Sequence, residues 1–154
     1  MDLQFKKHYT RNEARQLLPD IRAWLAKIVQ FRESLRDFDD RFAHKLAAGC
    51  DLGGEPIHRW VSNLAELQGL LMEFSRREII LKDLSRGLVD FPAMLDGREV
   101  FLCWKSGEED IAFWHDLDAG YAGREPMDWA LSWGGITGSR QTKGHARARP
   151  FLEI

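Results

Sequence analysis

Residues 79–118 read IILKDLSRGLVDFPAMLDGREVFLCWKSGEEDIAFWHDLD. No other run of the chain is as dense in β-forming and aromatic residues, and two turn signals punctuate it. Asp96-Gly97 and Ser106-Gly107 each sit between apolar runs, the spacing of consecutive tight hairpins. The stretch predicts a three-stranded antiparallel meander, with a fourth strand over residues 79–83.

Turn length sets which side chains share a face, because strand side chains alternate. A two-residue Asp96-Gly97 turn pairs Leu95 with Arg98, Phe91 with Leu102 and Asp90 with Cys103. A two- or four-residue turn at Ser106-Gly107 then puts Leu102 beside Ile111 and Phe113. One face becomes Val89, Phe91, Ala93, Val100, Leu102, Trp104, Ile111, Phe113 and His115. The other carries Leu88, Asp90, Phe101, Cys103, Ala112, Trp114 and Asp116. Both faces are aromatic, so both need cover. The candidates for the second are Trp129 and Trp133 of the tail, or a partner subunit.

Upstream, the period changes to that of helices. Thr10-Arg11-Asn12-Glu13 has the capping-box pattern. Pro19 predicts a short helix to about Leu18 followed by a kink or restart. Leu17, Ile21, Trp24, Ile28, Phe31, Leu35, Phe38 and Phe42 then hold an a/d seam. Asp51-Leu52-Gly53-Gly54 ends it, and Glu55-Pro56 opens a second helix. Ile57, Trp60, Leu64, Leu67, Leu71 and Phe74 repeat the seam, with Gly69 inside it as a candidate for close backbone approach. Helices of about 28 and 22 residues span roughly 40 and 33 Å. Their short connection makes them antiparallel neighbours. The expected fold is α+β: a long, coiled-coil-like helical hairpin (11–78) packed on a three- to four-stranded antiparallel meander (79–118). Residues 1–127 form one domain in this reading. Residues 128–154 are a glycine-rich, loop-like tail, basic through Arg140, Lys143, Arg147 and Arg149.

Composition narrows the partners. At 154 residues, 44% hydrophobic and 30% charged, the chain has the make-up of a soluble globular protein. A net charge of -2 argues against a nucleic-acid partner. No apolar run approaches the roughly 20 residues of a membrane helix, and the first ten residues lack a signal-peptide h-region. Cys50 and Cys103 fit no C-x-x-C spacing, which suits free thiols in a cytoplasmic protein.

Few residues advertise chemistry. His115 is the obvious ligand or acid–base group, with Glu108, Asp83 and Asp90 as candidate carboxylates. As a metal site the set reduces to His115, Glu108 and Asp90. The parity above puts Asp90 and Asp116 on the face opposite His115, and no HExxH or cysteine pair supplies further ligands. A bulge at Pro92 or a three-residue hairpin loop reverses that parity and revives the site. Cys103, in a strand among aromatics, reads as inert. Lys82, Arg86 and Arg124 are the candidate anion-binding cations.

Several separated motifs agree in order with one family. They are Thr10-x-x-Glu13-Ala14-x-x-Leu17-Leu18-Pro19, Lys82-Asp83-Leu84-x-x-Gly87-Leu88-Val89-Asp90-Phe91-Pro92, Leu102-Cys103-Trp104-x-x-Gly107-Glu108, Trp114-His115 and Gly120-Tyr121-Ala122-Gly123-Arg124. Together they resemble the DUF2203 family, a bacterial and archaeal domain of unknown function, over nearly residues 9 to 127. The resemblance implies a cytosolic bacterial protein of one domain and brings no activity, cofactor or catalytic residue. The family pattern usually has a glycine just before the first strand, where this chain reads Arg77-Glu78-Ile79. Lys82, Asp83, Asp90, Glu108, His115 and Arg124 are polar residues inside the resembling motifs, where they build either a hydrogen-bond network or a site.

With the parity as drawn, the expected role is a non-enzymatic module that self-associates as a homodimer or binds a partner. The alternative is a metal- or anion-dependent enzyme, with a divalent ion as Lewis acid at His115, Glu108 and one of Asp83 or Asp90, and Arg124 on the substrate.

Overall fold

The computed structural model describes residues 3–51 and 53–127. Two antiparallel helices, α1 (Arg11–Ala47) and α2 (Glu55–Arg76), precede five strands. These are β1 (Ile80–Asp83), β2 (Leu88–Leu95), β3 (Arg98–Lys105), β4 (Phe113–Asp116) and β5 (Glu125–Pro126). They form one antiparallel sheet in sequence order. The α+β hairpin-and-meander expectation holds, with one more short strand than anticipated. No helix among the described residues is long and apolar enough to cross a membrane. The basic tail, Trp129 and Trp133 lie outside the described residues.

α1 begins as its sequence dictates. Thr10 Oγ1 accepts from the Glu13 amide at 3.2 Å, and Glu13 Oε2 accepts from the Thr10 amide at 2.8 Å. The helix does not end at Leu18 and restart, as expected: α1 runs 37 residues through Pro19. A helix-interior proline costs roughly 3 kcal/mol. Leu18, Ile21, Leu25 and Ile28 are buried around it, and each contributes about 1.5–3 kcal/mol on burial. Tertiary packing therefore overrides the local penalty.

The buried residues of α1 all lie between Ala14 and Ile28, and Phe74 is the buried residue of α2. Beyond Ile28, Phe31, Leu35, Phe38 and Phe42 are half-buried, with Phe38 packed on Trp60 at 5.7 Å between ring centroids. The distal halves of the two helices thus reach past the sheet as an arm. The α2 seam is narrower than expected. Trp60 and Leu67 are half-buried, whereas Leu64 and Leu71 are 37% and 42% exposed. A Cβ at Gly69 would meet nothing within 4 Å, so no close approach explains that glycine among the described residues.

α2 ends in a Schellman motif, with Ile79 N–H bonded to Phe74 C=O and Glu78 N–H to Ser75 C=O, each at 3.0 Å. Glu78 holds the left-handed position, φ 55°, where glycine is the easier residue by roughly 1–2 kcal/mol. Its side chain has another use here. Glu78 Oε2 accepts from the Lys6 and Lys7 amides at 2.9 and 2.6 Å and ties down the chain before α1.

The first hairpin is the expected two-residue turn. Asp96 and Gly97 both have positive φ, 49° and 79°, as a type I′ turn requires. Leu95 pairs with Arg98, Phe91 with Leu102 and Asp90 with Cys103. The second hairpin is not tight. After Ser106-Gly107 the chain makes an excursion before β4 begins at Phe113. Arg11 Nε and Nη2 bind Ile111 C=O and Asp110 at 2.9 and 3.1 Å, Arg15 binds Asp110, and Arg22 Nη2 binds the Glu108 and Glu109 carbonyls at 3.1 and 3.0 Å. An odd number of residues, 106–112, joins the strands, and the register is Phe101↔His115 and Leu102↔Trp114. This corrects the parity expected from the sequence. Phe113 and His115 lie on the face of Asp90, Phe101 and Cys103, and Trp114 lies with Leu102 on the helix-packed face.

Candidate functional site

Asp90, Cys103 and His115 come from three consecutive strands. Asp90 stands directly across from Cys103 and His115 across from Phe101. All three are buried, at 1%, 0% and 1% exposure. Asp90 and His115 are separated by the whole width of β3. Their side chains lean over it between Phe101 and Cys103, and His115 Nε2 stops 3.3 Å from Asp90 Oδ2. One ligand atom from each of the three residues lies within 4.8 Å of the other two.

The proton on His115 is placed by chemistry. Nδ1 is 2.7 Å from the Asp116 carbonyl, which only accepts, so Nδ1 carries hydrogen and Nε2 faces the cluster. Burial disfavours the imidazolium, but the bonds to Asp90 and the Asp116 carbonyl outweigh it and hold the pKa above its ordinary value. Burial pushes the Cys103 thiol up, and the Asp90 carboxylate beside it pushes it further. Asp90 Oδ1 is buried and has no hydrogen-bond partner among the described residues.

Cations flank the cluster. Lys82 Nζ sits 5.2 Å from the centre of the Phe101 ring and repels the imidazolium. Arg124 stacks on Phe113 at 4.1 Å and Tyr121 at 4.9 Å, and its Nη2 binds both oxygens of Glu108 at 2.7 and 2.8 Å. Glu108 also accepts from the Lys105 amide at 2.8 Å. Phe5 covers Phe101 edge-on at 5.4 Å. Glu99 holds that cover, accepting from the Gln4 and Phe5 amides at 2.7 and 3.0 Å and pairing with His8 Nε2 at 2.7 Å. The aromatic second face is thus covered in part by residues 4–8 of the same chain.

The candidate residues separate into groups. His115 and Asp90 come together. Glu108 is held by Arg124. Asp83 is held in its own loop, accepting from Ser85 Oγ at 2.6 Å and from Arg86 N and Nε at 3.1 and 2.8 Å. Those bonds hold its carboxyl well below the usual range. Arg86 and Arg124 both lie on Tyr121, at 5.1 and 4.9 Å, while Lys82 stands apart on Phe101. Cys103, which the sequence presents as an inert thiol, is the third residue of the cluster. Its cross-strand pairing with Asp90, fixed by the Asp96-Gly97 turn, was the available signal.

A family model described as "Uncharacterized conserved protein (DUF2203)" matches residues 7–127. No curated protein and no solved structure matches the chain.

Proposed function

The chain belongs to the DUF2203 family, and from that premise we propose that it works through the Asp90–His115 pair, as a metal- or anion-dependent site on the meander. The observation that carries this is the 3.3 Å approach of two buried ionisable groups borne on strands that are not neighbours. Burying such groups is costly, and buried titratable groups that converge on one point are candidates for a functional site. Lys82, held over Phe101, adds a positive charge that favours an anionic ligand beside the pair. The free thiols, Cys103 buried and Cys50 exposed, suit a reducing cytoplasmic setting. The experiment is a thermal-unfolding screen of the protein against divalent ions and against phosphate and small carboxylates. Stabilisation that is lost in Asp90→Asn and His115→Gln is expected. If neither class stabilises the unaltered protein, this function is wrong.

A second reading, self-association as a homodimer, is favoured by α2. Val61, Leu64, Leu71 and Met72 are 37–52% exposed, and Ala65 and Gln68 between them on that side carry no charge. An uncharged stripe at helical spacing is the kind of surface a second helix covers.

A further inference from the structure

Resting on that reading, we propose that Asp90, Cys103 and His115 form a binding site for one divalent transition-metal ion of the zinc class. The ligands are an Asp90 carboxylate oxygen, the Cys103 sulfur and His115 Nε2, with a fourth position left for water or a substrate atom.

Four observations support the assignment. First, bonds of 2.0–2.3 Å to a tetrahedral ion put neighbouring ligands roughly 3.3–3.8 Å apart. Asp90 Oδ2 and His115 Nε2 are already 3.3 Å apart, and all three ligand atoms lie within 4.8 Å of one another. Second, the Nδ1–H to Asp116 carbonyl bond at 2.7 Å is the arrangement that orients a metal-binding imidazole and aims Nε2 at the ion. Third, Asp90 Oδ1 is buried with no partner among the described residues, and a carboxylate is seldom left that way without a ligand. Fourth, the donors are mixed: one nitrogen, one sulfur, one oxygen. Hard ions such as magnesium and calcium take oxygen sets, whereas a borderline ion takes this one.

A purely structural ion pair accounts for less. The 3.3 Å separation is long for a charge-assisted bond, normally about 2.7–2.9 Å, and the pair leaves Oδ1 without a partner among the described residues. With an ion bound, the carboxylate and thiolate neutralise its two charges. The thiol proton leaves to solvent as the sulfur takes the metal.

The test is a cobalt(II) titration of the full chain in a Cys50→Ser background, so that Cys103 is the one remaining thiol. One equivalent is expected to raise tetrahedral cobalt bands and a thiolate-to-cobalt charge-transfer band, both quenched by added zinc. Cys103→Ser should abolish the charge-transfer band. His115→Gln should weaken binding by more than the roughly 100-fold that loss of a supporting second-shell group costs. Absence of a charge-transfer band with excess cobalt, or its persistence in Cys103→Ser, overturns the proposal. The unaltered histidine and aspartate decide the first outcome, so a variant that folds poorly does not rescue the idea. If cobalt fails while phosphate still stabilises the protein, the metal is wrong and the Asp90–His115 site stands. If both fail, both fall.

Discussion

His115 and Asp90 meet across a strand that belongs to neither of them, with Nε2 and Oδ2 3.3 Å apart above the backbone of β3. Side chains on alternate strands of a sheet do not ordinarily touch, because each strand step is about 4.8 Å. The contact exists because the residues beneath it permit it. Cys103 is small, and the Phe101 ring packs at a tilt against the imidazole, 5.5 Å between centroids.

Removing both members should therefore cost less than the two single removals added together. Asp90→Ala leaves a buried imidazole without its counter-charge, and a loss of about 3–5 kcal/mol is expected from breaking such a pair. In the double variant with His115→Phe, the loss should be smaller than the sum of the two single losses. Urea unfolding of the four proteins gives the coupling energy, and strict additivity would show that the contact is energetically empty.

Gly87→Ala should destabilise the fold by about 1–3 kcal/mol, the range for left-handed strain plus crowding. Gly87 has φ 60°, and an added Cβ would lie 2.5 Å from the Ser106 Cβ. The Ser106 amide also bonds to the Gly87 carbonyl at 3.0 Å, so the two turns cannot simply part. An unchanged unfolding midpoint would contradict this tight approach.

Acid should loosen the chain around Glu99 and Asp110. Burial raises both carboxyls, but the hydrogen bonds and cations around them win, and both sit below their ordinary values. A carboxyl depressed in the folded state contributes stability fully above its unfolded pKa, about 4.3 for Glu and 3.9 for Asp. That contribution falls away as pH drops through the lower folded value. In urea unfolding, the share of the stability supplied by these two carboxyls should be level above about pH 5 and decline below about pH 4. In Glu99→Gln the decline should be shallower, because one of the groups responsible is gone. A decline of equal slope would remove Glu99 from the account.

Leu64→Glu and Leu71→Glu probe the exposed stripe of α2. Each residue is more than a third exposed, so monomer stability should change by no more than about 0.5 kcal/mol. Sedimentation across a concentration series should show a homodimer for the unaltered chain and a monomer for both variants. A concentration-independent monomer in all three would end the self-association reading.

The two hairpins show why one was legible in the sequence and the other was not. Asp96-Gly97 demands its own turn type, because two consecutive positive-φ positions close a two-residue loop without outside help. The pairing of Asp90 with Cys103 follows from those two residues alone. The route from Ser106 to Phe113 is held instead by Arg11, Arg15 and Arg22, which approach from α1 almost a hundred positions earlier. No local signal in SGEEDIA announces those partners, and an odd slip turns every side chain of β4 over. The misplacement of His115 followed from that single joint. Pro19 teaches the same lesson in a helix: the local rule was sound, and burial of Leu18, Ile21 and Leu25 outweighed it.

The cluster draws one residue from each of three successive strands, and none of the three lies within ten positions of another. A nascent or misregistered chain consequently possesses the three side chains but no common point for them to surround. Loading of any ion there would report completion of the sheet, making occupancy a quality-control mark as well as a chemical state. Variants that slow closure of the 106–112 excursion should then lose uptake before they lose helix content.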